Sequence, residues 1–121
     1  MTEIKLKRAY LPAEASDGYR VLVDRLWPRG VSKERLNCEE WAKDMAPSTE
    51  LRKWYHADPA NRWPEFEKKY MAEIQANPDL PHFLSELKEH PVVTFVYGAR
   101  DPDHNHAIIL EQAVAKSLES E

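Results

Sequence analysis

Two stretches of this chain, "YRVLVDRL" at 19–26 and "PVVTFVYG" at 91–98, are apolar at consecutive positions. Successive side chains of a strand point to opposite faces, so Val21, Leu22 and Val23, like Phe95 and Val96, need cover on both sides of a sheet. Strands of that kind sit in the interior. A long run of helical pattern separates the two, which predicts an α/β fold: a small layered domain with a mainly parallel sheet flanked by helices.

The remaining segments fit around that pair. Residues 3–10 alternate, with Ile4 and Leu6 on one face and Lys5 and Lys7 on the other, which predicts a half-buried strand whose lysines discourage edge-to-edge pairing. Proline does most of the punctuation, nine residues against three glycines. "STELRKWYHA" predicts a helix capped by Ser48 or Thr49, and "PEFEKKYMAEIQAN" a helix opening at Pro64. "PHFLSELKEH" predicts a third, and the last runs to about Leu118 from a cap at Asp101 with Pro102 in its first turn. "NCEEWAKDMAP" reads two ways. Cys38, Trp41, Ala42 and Met45 fit a short helix with Asn37 and Glu40 as a capping box, and a short strand fits the same residues.

At 121 residues the chain fits one domain, spanning 1–121, with a core that needs no metal or disulfide to hold it. The single cysteine, Cys38, has no internal partner, and "MTEIKLKRAY" lacks the apolar core of a secretory leader, so a cytoplasmic location is expected. No apolar run approaches the roughly 18–20 residues of a membrane span. A net charge of −4 weighs against duplex nucleic acid as a partner, while a local basic pocket is compatible with it. There is no P-loop, no G-x-G-x-x-G and no G-x-S-x-G, so no cofactor is expected.

Ligands of open parallel sheets bind beyond the carboxyl ends of the strands. Both interior strands end there in acid–arginine pairs, Asp24 with Arg25 and Arg100 with Asp101, and the expected face of the final helix turns His106 toward the same place. Asp24, Asp101 and His106 are therefore the candidate catalytic groups. Arg25, Arg29 and Arg100 are candidate anion holders, Trp27 a candidate stacking face, and Lys43, Asp44, Ser48 and Arg52 a second anion contact at a helix start. Each has a structural counterpart. The aspartates can cap a helix, the acid–arginine pairs can form an ion network, and Trp27 can be a lid on the core. His104 and His106 are about 200° apart on a helix and cannot share a metal ion, so no metal site is expected.

The segments "DGYRVLVDRLWPRGVSK", "WAKDMAPSTELRKWYHADP", "RWPEFEKKYMAEI" and "VVTFVYGARDPDHNHAIIL" together resemble the YeaO-like branch of the domain-of-unknown-function 488 family, over about residues 5–110. Its motif positions coincide with the residues above and add His104 and Asn105 to the candidate ligand-binding set. The resemblance implies a small bacterial or archaeal cytoplasmic α/β protein. Broader members carry a cysteine at the strand end and a Cys-His-Arg element; here Gly98 and Ala99 precede Arg100 and Asn105 precedes His106, so the thiol pattern is broken. The expectation is a small anion, such as a nucleotide or sugar phosphate, bound by an enzyme at the strand ends. The alternative is a non-catalytic module that senses a ligand or holds single-stranded nucleic acid.

Overall fold

A computed structural model describes residues 2–119. Among these residues four strands, β1 (Glu3–Arg8), β2 (Tyr19–Leu22), β3 (Glu40–Trp41) and β4 (Val92–Tyr97), form one sheet in the order β1-β4-β2-β3. Every neighbouring pair is parallel. Five helices accompany it: α1 (Lys33–Leu36), α2 (Thr49–Ala57), α3 (Pro59–Ala76), α4 (Leu80–Leu87) and α5 (His106–Glu119). The two strands read as interior, β2 and β4, are the central ones, and the chain is a small α/β fold as expected.

The pleat explains the pattern. In register, Val21 pairs with Phe95 and Leu22 with Val96. Val21, Val23, Val93 and Phe95 face the larger core, built with α2 to α5 from Phe66, Tyr70, Phe83 and Leu110 among others. Leu22 and Val96 face the opposite way, into a smaller cluster with Ala9, Val31 and Leu36 that Trp27 and Cys38 flank.

On that thinner face lies a feature that the apolar pattern did not predict. Arg20, on central strand β2, is 2% exposed. Its guanidinium donates to Asp17 Oδ2 at 2.6 Å and to the Leu36 carbonyl at 2.7 Å, closing the end of α1. Lys7 Nζ lies 3.0 Å from the same Asp17 carboxylate, and Thr94 Oγ1 donates to the Asp17 carbonyl. Burial raises the Asp17 pKa, but the Glu14 amide, Lys7 and Arg20 outweigh it, and the carboxyl is held below its ordinary value. Gly18 follows at φ +66°, where an added Cβ would stand 2.3 Å from the Val92 carbonyl oxygen, so only glycine lets this turn lie against β4.

Three boundaries differ from the sequence reading. Residues 37–45 form no α-helix, and of the two readings the strand holds, at Glu40–Trp41. Asn37 instead adopts the left-handed conformation (φ 49°) that ends α1, and the chain continues as strand β3 and a 3-10 turn at Lys43–Met45. Asparagine is favoured both at helix starts and in this left-handed closing position, so the residue alone does not say which. Helix α3 begins at Pro59, with Pro64 inside it; the carbonyl that Pro64 leaves without a partner belongs to exposed Ala60, where water can serve it. Helix α5 begins at His106 rather than at Pro102. Asn105 is the residue that caps it, its Oδ1 accepting from the Ile108 amide at 3.1 Å.

Candidate functional site

Because all four strands run the same way, β2 and β4 end on one side of the sheet, and the loops that follow them enclose a cleft of about 200 Å³. Asp24 and Arg25 enter it from β2, Gly98 and Ala99 from β4, Arg52 and His56 from α2, and His104 to His106 from the start of α5. Ser48 caps α2, accepting from the Leu51 amide at 3.2 Å, and Glu73 of α3 takes its hydroxyl at 2.7 Å. That clamp sets the helix from which Arg52 projects.

At the floor, Asp24 Oδ2 accepts from the Gly98 amide at 2.8 Å, tying the ends of the two central strands together. A Cβ on residue 98 would come within 3.0 Å of that oxygen, so glycine keeps the approach open. His106 Nε2 lies 3.0 Å from the Val23 carbonyl and 3.1 Å from Asp24 Oδ1. A carbonyl only accepts, so Nε2 carries the proton and directs it at Val23. Asp24 Oδ1 is thus close to the ring yet receives no aligned hydrogen bond, and it is buried.

The walls are basic. Arg25 donates through Nε to the Pro47 carbonyl at 3.1 Å and through Nη2 toward Ala46 at 3.4 Å, which fixes its guanidinium beside the cleft. Arg52 makes no ion pair among the described residues, and its Nε is buried without an acceptor. Burial, followed by the charges of Arg52 and His106, holds the His56 pKa below its ordinary value. One carboxylate, Asp24, stands against two guanidinium groups.

Of the sequence candidates, Asp24, Arg25, Arg52, His104, Asn105 and His106 line this cleft. The others lie elsewhere. Arg100 is exposed and outside it. Asp101 is exposed and accepts from the amides of Asp103 (2.9 Å) and His104 (3.2 Å), a turn that depresses its pKa chiefly through the Asp103 amide. Trp27 donates to the Val31 carbonyl at 2.6 Å over the smaller core. Arg29 is exposed, and Lys43 rests over the Trp41 ring. Asp44 and Ser48 border a neighbouring depression that shares only Arg25 and Ala46 with the cleft. Asn105, 3% exposed, is held by its own cap bond and by donating to the Asp101 carbonyl at 2.9 Å. Sequence reading missed His56 and Tyr55, although His56 stands four residues after Arg52 and so on the same helical face. Cys38 lies with the smaller core, and burial pushes its thiol up to about 11. Among the described residues no group of three or more histidine, cysteine or acidic side chains is placed to hold a metal ion.

These features define a small parallel α/β protein with a basic cleft at the carboxyl ends of its two central strands. The chain belongs to the domain-of-unknown-function 488 family as a YeaO-like member: the model described as "Inactive DUF488-N3 subclade" matches residues 3–121. It is 43% identical to the uncharacterized protein YeaO of Escherichia coli K12 over 107 residues, 88% of this chain and 92% of that protein. It is 40% identical to the uncharacterized protein Rv3073c of Mycobacterium tuberculosis H37Rv over 111 residues, 92% of each. No solved structure gives a significant match. No helix among the described residues is long and apolar enough to cross a membrane.

Proposed function

We propose that this protein is a binding module that holds a small anion in the cleft between β2, β4 and α2 without converting it. The observation that carries the reading is Arg52, whose buried Nε finds no acceptor in the protein. A donor stranded in this way costs about 1–3 kcal/mol, and an anion beside it would recover that cost. Arg25, anchored by two carbonyls, offers a second guanidinium without having to be ordered on binding. The cleft is smaller than the roughly 300–1,000 Å³ of drug-sized pockets, which favours a phosphate, sulfate or carboxylate group over a whole nucleotide. A family description of "inactive" and the absence, among the described residues, of serine, threonine, cysteine and lysine from the lining favour binding over turnover.

The Asp24–His106 contact supports a second reading, in which His106 transfers a proton and the adjacent Asp24 carboxylate balances the charge that the ring gains. Titration of isotopically labelled protein with inorganic phosphate separates binding from its absence. Saturable shifts are expected at the Gly98, Ala99 and Asn105 amides, with Arg52→Gln weakening binding at least about tenfold, the loss of one charge-assisted hydrogen bond. Non-saturating shifts in the wild type, or undiminished binding by the variant, would refute the proposal.

A further inference from the structure

Two buried side-chain polar atoms lack a hydrogen-bond partner among the described residues, Arg52 Nε and Asp24 Oδ1, and both belong to residues that line this one cleft. One is a donor and the other an acceptor. They do not satisfy each other, since no Arg52–Asp24 ion pair forms within 4.0 Å. Nor does His106 satisfy Asp24, because its Nε2 proton is directed at the Val23 carbonyl. Asp24 cannot turn away either, because Oδ2 is held by the Gly98 amide. A simple anion would meet Arg52 and leave the Asp24 oxygen stranded, with an added repulsion between two negative charges.

From this complementarity, and resting on the anion-binding reading above, we infer that the ligand is bifunctional: a small acid that also carries a hydroxyl or ammonium donor, that is, a hydroxy acid or an amino acid. Its anionic group meets Arg52, with Arg25 beside it. Its donor group meets Asp24 Oδ1. Such a ligand satisfies both stranded atoms at once and places opposite charge against each wall.

The test uses three probes of similar size: acetate with an anion only, glycolate with an anion and a hydroxyl, and glycine with an anion and an ammonium. Each is titrated into the full chain while the Gly98 and Asn105 amide resonances are followed. Glycolate or glycine is expected to bind at least tenfold more tightly than acetate, and which of the two does so distinguishes a hydroxyl from an ammonium ligand. In Asp24→Asn the side-chain carbonyl keeps the Gly98 amide bond and the new NH2 group takes the place of Oδ1. The fold is therefore retained, but the open position becomes a donor. Acetate binding should persist or improve in this variant, while the advantage of glycine disappears. Acetate binding that Arg52→Gln removes, with no gain for either bifunctional probe, would overturn the inference and leave the anion reading standing. No binding of any probe, or binding indifferent to Arg52→Gln, would overturn both.

Discussion

Replacing Arg52 with methionine is expected to make the protein more stable while it loses its anion. Methionine keeps most of the aliphatic stem and discards a buried Nε that has no acceptor. Leaving such a donor stranded costs about 1–3 kcal/mol, and some packing of the guanidinium is forfeited in exchange, so a net gain of about 1 kcal/mol remains. For a domain of this size that raises the melting temperature by about 3–6 °C. Thermal unfolding followed by circular dichroism in Tris chloride reads the difference. Saturating phosphate should then raise the melting temperature of the wild type and leave that of the variant unmoved, because a ligand stabilises only the state that binds it. A variant that melts several degrees below the wild type in the absence of phosphate would mean that Arg52 belongs to a structural ion network and is not a stranded donor.

Other expectations follow from the same contacts. Asp17→Ala strips the buried Arg20 and Lys7 of their shared carboxylate and should cost about 3–5 kcal/mol in urea unfolding; a loss below about 1 kcal/mol would contradict the network. Because the folded Asp17 pKa is depressed, its contribution is full above the unfolded value near 3.8 and is lost as pH falls through the folded one, so the variant should show a shallower fall in stability below about pH 4. Asn105→Ala removes the α5 cap and should cost about 1–2 kcal/mol, more than Asp101→Ala; the reverse order would return the cap to Asp101. The His56 pKa, depressed by burial and by Arg52 and His106, should rise when sulfate, a dianion at every pH used, is bound, and sulfate binding should tighten as pH falls below about 6.5; an unmoved titration curve at saturation would rule this out.

The architecture was legible where one physical rule acted alone. Consecutive apolar residues at 21–23 and 95–97 require cover on both faces, and the structure places both stretches at the centre of a parallel sheet. Where two rules used the same residue, the sequence was ambiguous. Asn37 suits a helix start and a left-handed stop, and the second applies because Arg20 draws the Leu36 and Asn37 carbonyls onto β2. Asp101 with Pro102 reads as a helix opening, but Asp101 closes a turn of its own and the helix waits for Asn105. The cleft divides in the same way. Asp24, Arg25 and His106 follow from strand ends and helix phase, whereas Arg100, one residue further from β4 than Ala99, faces solvent. The buried Arg20 and Asp17 pair was hidden because charge in a sequence marks a surface by default, and only coordinates reveal the carbonyls that make its burial tolerable.

The most direct measurement is anomalous diffraction from crystals grown with selenate, a tetrahedral anion of phosphate's shape whose selenium identifies itself. The expected result is a selenium peak in the cleft about 4 Å from the Arg52 guanidinium, one hydrogen-bonded oxygen away, and beside that of Arg25, which Arg52→Met abolishes. Peaks confined to exposed lysines, with none between β2, β4 and α2, would contradict the account.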